Sequence, residues 1–235
     1  MKQYTFVKYQ PSDAISSLIN ENSHTLLVLS RFNIALGFGD RNIGEVCRAN
    51  SVDVNTFLAI INLMGNDNKP VLPVKSPVSI ECLINYLYHS HQFFLNFRLP
   101  EMRRKFVAAL NESEEDLNRA VLVYFDNFVA ALKKHTQNED KKIFPYVQDL
   151  LKGKQREKLP VVLSKQHEQI QTRLTEFKNV LIKYYPANKA NEINSFLFDV
   201  FNCEKDLASH NAVEEYLFQP AIDELENRNN STTTI

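Results

Sequence analysis

The sequence predicts an all-α protein: an antiparallel four-helix bundle preceded by a small helical N-terminal domain. Three observations carry this. Glycine is scarce, 5 in 235 residues, which disfavours a turn-dense β architecture. From about residue 79 onward, apolar residues recur at i, i+3, i+4 and i+7 through four long stretches. Those stretches are separated only by short breaks, the connections that an antiparallel bundle uses. At 44% hydrophobic and 23% charged, the chain can bury a sizeable core.

Each element has its own signal. The N-terminal part reads as helices over residues 12–21, 24–32, 42–49 and 53–64, with Ser51 and Asp53 as caps of the fourth and one glycine turn at Leu36-Gly37-Phe38-Gly39-Asp40. Pro70, Pro73 and Pro77 then forbid a helix and favour an extended linker. The long helices are expected at 79–111, 114–150, 159–185 and 187–226. Ser113-Glu114-Glu115-Asp116 reads as a helix start with acid in its first turn, Lys152-Gly153-Lys154 as a stop, and Pro186 as the break between the last two helices. The expected organisation is a small helical domain at 1–68, a Pro-rich linker at 69–78, the bundle at 79–227 and a disordered tail at 228–235.

Charge and cysteine usage narrow the function. The chain has 27 Lys+Arg against 28 Asp+Glu, without the basic excess of a nucleic-acid binder. Residues 1–68 hold five basic and six acidic side chains, which speaks against a DNA-reading role for the N-terminal helices. No Gly-rich nucleotide fingerprint occurs. Three scattered cysteines, Cys47, Cys82 and Cys203, fit a reducing compartment. No apolar leader and no run of about 18–20 apolar residues is present, so a cytoplasmic protein without a membrane partner is expected.

The histidines carry the chemistry. His135 continues the stripe Leu117, Val121, Tyr124, Phe128, Ala131; His167 lies with Leu163, Ile170, Leu174, Phe177 and Leu181. His210 lies with Ile193, Phe196, Val200, Cys203, Leu207 and Leu217; His91 with Leu83, Leu87 and Phe94. Each long helix thus turns one histidine toward the core, whereas His89, about 200° round from His91, faces elsewhere. One core histidine is commonly just a hydrogen-bonded packing residue. Four buried imidazoles each need partners for two nitrogens, and a metal ion satisfies several at once.

The carboxylates agree. His135–Glu139 and His210–Glu214 are both His-x-x-x-Glu, which places each glutamate one turn from its histidine on the same face. The pattern repeats. His91 is followed 44 residues later by His135, then Glu139 and Pro145; His167 is followed 43 residues later by His210, then Glu214 and Pro220. Four imidazoles and two carboxylates fit two carboxylate-bridged transition-metal ions. Mg²⁺ or Ca²⁺ would take mostly oxygen, structural zinc sites are single and tetrahedral, and mixed N/O ligation with open positions suits non-haem iron. Ferritin-like bundles use Glu-x-x-His with more carboxylates; here the order is reversed.

At these residues the chain resembles the hemerythrin-like (HHE cation-binding) superfamily, and within it the iron–sulfur cluster repair di-iron family, the repair-of-iron-centres proteins. The matching pieces are His91-Gln92-Phe93-Phe94 through Leu99-Pro100-Glu101, His135-x-x-x-Glu139 with Ile143-Phe144-Pro145, Gln166-His167-Glu168, and His210-x-x-x-Glu214 with Pro220. Phe32-Asn33-Ile34 to Ile60 resembles the small domain that precedes the bundle there. The resemblance implies two iron ions, with His91, His135, His167 and His210 as ligands and Glu139 and Glu214 bridging. It implies repair of iron–sulfur clusters damaged by nitrosative or oxidative stress, with iron delivery as one route and damaged iron–sulfur proteins as partners. One departure stands out. Where that family often has a Cys-Cys pair, this chain reads Ile34-Ala35-Leu36-Gly37-Phe38-Gly39-Asp40, without a thiol.

Two other readings stay open at this stage: an O₂- or NO-binding sensor or carrier with the same centre, and a metal-free helical interaction module. Whether the protein is an enzyme, and whether it is a monomer or homodimer, stays open too. Among the remaining polar residues, Asp206 reads as a solvated residue one turn before His210, with orienting its ring as the other option. Tyr88, Tyr124 and Tyr146 read as packing aromatics, with a hydrogen bond to a bound oxygen species as the other option. Cys47 and Cys203 read as buried packing, and Arg103-Arg104-Lys105 as a solvated basic face.

Overall fold

The computed structural model describes residues 8–70, 77–154 and 164–232. All regular structure among them is helical; the one β-type pairing is an isolated bridge between Ala14 and Asn42. The short helices are α1 (Ile15–Glu21), α2 (Thr25–Arg31), α3 (Ile43–Ala49) and α4 (Val54–Gly65). The long stretches comprise α5 (Ile80–Phe93) with α6 (Leu99–Ala109), α7 (Glu115–Asn138) with α8 (Phe144–Leu151), α9 (Ser164–Tyr184), and α10 (Ala190–Val213) with α11 (Gln219–Thr232). The fold is the expected all-α helical one. The expected start of the third long helix at 159 lies outside the described residues, as do Pro73 of the linker and residues 233–235 of the tail. The last helix runs to Thr232, past the expected end at 226.

Three of the long stretches contain a π-helical turn that the periodicity did not reveal: Phe94–Arg98, Glu139–Ile143 and Glu214–Phe218. Each is followed, two residues past its end, by a proline: Pro100, Pro145 and Pro220. Proline has no N–H for the carbonyl four residues back, and its ring crowds that carbonyl. Widening the preceding turn lets the helix continue through the proline without a sharp kink.

Contact density divides the chain into two compact units. The first comprises Met1–Ser90, Phe144–Val161 and Ser209–Ile235. In it, Asn42 and Glu45 form a reciprocal capping box on α3, and Asp53 caps α4 by accepting from the Thr56 amide at 2.8 Å. Ser51, the other expected cap, instead takes a left-handed backbone at φ 56°. Buried Asn62 accepts from the amides of Lys8 and Tyr9 at 2.9 and 2.8 Å, pinning the N-terminal strand of chain to α4. Phe32 packs its ring on Phe57 and Tyr86, and the Thr56 hydroxyl accepts from the Ser79 amide at 2.8 Å. Gly153 takes φ 71° at the end of α8, and its amide donates to Leu150 O, the stop expected there.

The second unit comprises His91–Ile143 and Val162–Ala208. Its centre is a cluster of four fully buried phenylalanines, one from each helix: Phe106 of α6, Phe125 of α7, Phe177 of α9 and Phe196 of α10. Phe106 stacks on Phe196 with centroids 4.6 Å apart and meets Phe177 edge-on at 5.3 Å. At one end of this unit Asn111 locks the chain. Its amide donates to the Tyr185 hydroxyl at 2.7 Å, and its side chain donates to Pro186 O at 2.8 Å. The basic run is exposed but paired: Arg103 grips Asp126 with two bonds of 2.8 and 3.0 Å, Arg104 binds Glu101, and Lys105 reaches Asp199 at 2.6 Å.

Candidate metal centre

Each expected ligand sits near a helix end or a π turn. In the second unit, His91 closes α5, His135 closes α7, Glu139 opens the following π turn, and His167 lies in the first turn of α9. All four are buried, none more than 5% exposed. The i, i+4 spacing brings His135 Nε2 to 3.4 Å from Glu139 Oε1, and His91 Nε2 lies 3.3 Å from Glu139 Oε2. One carboxylate thus turns its two oxygens toward two different imidazoles.

His167 completes this group. Its Nε2 lies 3.1 Å from His135 Nε2, with the rings edge-on at 89°. One ligand atom each from His135, Glu139 and His167 lies within 4.8 Å of the others. The residues fit a metal ion. Nitrogen ligands about 2.1 Å from a common ion and at right angles to each other stand about 3.0 Å apart. The donor set of imidazole and carboxylate suits a divalent transition metal.

In the first unit, His210 near the end of α10 and Glu214 at the start of the next π turn repeat the motif, with His210 Nε2 3.0 Å from Glu214 Oε1 and both side chains buried. His89 takes no part: its Nδ1 pairs with Arg31 O at 2.8 Å, the outward face expected from the helical wheel.

The outer nitrogens of two ligands are held by groups not singled out from the sequence. Asp140 Oδ1 lies 2.7 Å from His91 Nδ1, and Gln166 Oε1 lies 3.1 Å from His135 Nδ1. An acceptor on Nδ1 places the proton there and leaves Nε2 free to ligate. The only sequence signal was adjacency, since Asp140 follows Glu139 and Gln166 precedes His167.

Asp206 corrects an expectation: it is 2% exposed, not solvated. Its position one turn before His210, on the stripe with Cys203, already pointed inward. Tyr146 is not simply a packing aromatic either; its hydroxyl donates to buried Glu226 at 2.7 Å. Tyr124 donates to Glu176 at 2.9 Å on the surface, and Tyr88 is exposed. Cys47 and Cys203 are fully buried, as expected. Burial pushes the Cys47 thiol up to about 12 and raises the Cys203 and Cys82 thiols above the usual range.

Fold and ligand pattern define a helical metal-binding protein, and comparison gives its family. The model of the hemerythrin HHE cation-binding domain matches residues 82–222, and the chain belongs to that family. The matched span holds the four core histidines and both glutamates. No curated protein matches the sequence. Among the described residues no helix is long and apolar enough to cross a membrane.

Proposed function

We propose that this chain is a di-iron protein that restores iron–sulfur clusters damaged by nitrosative or oxidative stress. Its ligands in this reading are His91, His135, His167 and His210, with Glu139 and Glu214 as the carboxylates. One observation carries the two-metal reading: the two oxygens of Glu139 face two different histidines, at 3.3 and 3.4 Å. This arrangement supports a carboxylate shared between two ions, each held by its own histidine. The repeated His-x-x-x-Glu supports the matching role of His210 and Glu214.

Bound iron would supply a redox-active centre or a store of transferable iron. The chain's own part is clear from its chemistry. Buried imidazoles hold iron without adding charge, and two carboxylates neutralise part of the metal's charge inside an apolar shell. Damaged iron–sulfur proteins are the proposed clients, NO or O₂ the proposed small ligands, and the cytoplasm the proposed compartment. The N-terminal helices, proposed as a separate domain over 1–68, have no Cys-Cys pair at 34–40; their one thiol is the buried Cys47.

The test starts from protein purified without oxygen, beside a His135→Ala/His210→Ala variant. About two irons per chain, lost in the variant, are expected, together with renewed activity of an NO-damaged iron–sulfur dehydratase mixed with the protein. Two irons with reversible NO binding and no recovery of the dehydratase would favour a sensor or carrier. Absence of iron, or one zinc retained in the variant, would overturn the di-iron reading.

A further inference from the structure

The groups around Glu139 are chemically unequal. On one side His91 is clamped by two consecutive residues of one π turn: Glu139 Oε2 lies 3.3 Å from its Nε2, and Asp140 Oδ1 lies 2.7 Å from its Nδ1. His91 is fully buried and the Asp140 side chain is 18% exposed, so water competes little for that bond. On the other side the outer nitrogen of His135, Nδ1, faces a neutral amide, Gln166 Oε1, at 3.1 Å, on an exposed residue.

We propose that Asp140 is a positioning residue for one metal ion only. It strengthens the position served by His91 and Glu139 Oε2, whereas at the other position the His135 ring has the weaker support of Gln166. This rests on the two-metal reading above. A carboxylate accepting from Nδ1–H fixes the tautomer, holds the ring plane and makes Nε2 a stronger donor; an amide does the first two more weakly and the third hardly at all. His91 thus has an anionic outer partner where His135 has a neutral one. The two positions should differ in affinity, and Asp140 should account for much of that difference.

The test is anaerobic titration of metal-free full-length protein with Co²⁺, followed by calorimetry and by the ligand-field absorption of the bound ion. Two distinguishable binding events are expected in the wild type. Asp140→Asn should weaken one of them about 10–100-fold, the usual cost of losing such a partner, and leave the other within a few-fold. Gln166→Glu should strengthen the other event. In metal-free protein, the far-downfield imidazole N–H signal of His91 should be lost in Asp140→Asn, a change that a general loosening of the fold would not single out. Equal weakening of both events, or of neither, would overturn the role of Asp140 while sparing the two-metal reading. Absence of a second event in the wild type would overturn both. Should Asp140→Asn fold poorly, Gln166→Glu decides alone: unchanged affinities in that variant would count against unequal support.

Discussion

Phe106 and Phe196 stack nearly parallel, their ring planes 14° apart and centroids at 4.6 Å, in the middle of a phenylalanine cluster fed by all four helices of their unit. Truncating either ring removes a large apolar surface and leaves a void that its rigid neighbours cannot close. Phe196→Ala should therefore destabilise the protein by about 3–5 kcal/mol. The measurement is the urea midpoint, with an unchanged m-value showing that the unfolding transition itself is the same. Phe196 packs against Phe125, which stands ten residues from His135 on α7, about 15 Å along the helix, so the metal content of the folded variant should match the wild type. A cost below about 1 kcal/mol would mean that this cluster is not the mechanical centre of its unit.

Glu139 invites the opposite trade. Its carboxylate is 2% exposed, a costly place for a charge without cations around it. Glu139→Gln keeps the shape and removes the charge. Metal-free variant should still fold, because the amide keeps the shape and volume of the carboxylate. Metal should then raise the melting temperature of the wild type far more than that of the variant. A ligand at a thousand times its Kd stabilises by about 4 kcal/mol, and most of that gain should vanish if Glu139 is a ligand, as proposed. Equal metal-induced shifts in both proteins would remove Glu139 from the centre.

How much of this could be read beforehand depends on the periodicity of each element. His135–Glu139 and His210–Glu214 were visible because i, i+4 spacing survives in any regular helix. Of the short helices, α4 is legible through its cap, Asp53, which holds an amide that would otherwise lack a partner; the Asn42 cap of α3 emerges only in the structure. Asp140 was not visible. A helical wheel steps about 100° per residue, so the neighbour of an inward glutamate is placed off the core; the π turn beginning at Glu139 breaks that arithmetic. The prolines at 100, 145 and 220 are the available sign of those turns; Pro145 and Pro220 enter the sequence reading through the repeat and Pro100 through the family resemblance, none of them as the mark of a π turn. Asp206 was misjudged because the usual exposure of aspartate outweighed its position on an apolar stripe.

The thiols give a pH dependence with a definite sign. Burial holds the Cys47 proton to about pH 12, whereas an unfolded chain releases it near 8.5. Between these values the unfolded state binds fewer protons than the native state, so stability falls as pH rises. The contribution is intact below about pH 8.5 and fades by up to about 1.4 kcal/mol per pH unit above it. Cys203, raised by the same cause, adds in the same direction. Urea midpoints from pH 7.5 to 10 should therefore drop, and Cys47→Ala should make that drop shallower even though its small cavity lowers the starting value. Alkylation gives a second readout. At pH 8 only about one Cys47 thiol in ten thousand is ionised, so iodoacetamide should label it orders of magnitude more slowly than a free thiol. Rapid labelling of Cys47 in folded protein would contradict its burial.

Tyr146 separates two roles for a buried hydroxyl. Its O–H donates to Glu226 at 2.7 Å, tying α8 to α11 through groups 6% exposed on both sides. A hydroxyl spent on that carboxyl group stabilises the fold and is not on offer to a ligand of the metal centre. Tyr146→Phe should cost about 1 kcal/mol, the net worth of a typical buried hydrogen bond. It should leave metal stoichiometry and NO affinity as they are in the wild type. Chemical denaturation reads the first quantity, and metal analysis with NO titration reads the second. A variant with wild-type stability and altered NO binding would reverse the assignment, placing the hydroxyl at the metal centre instead of in the packing of α8 on α11.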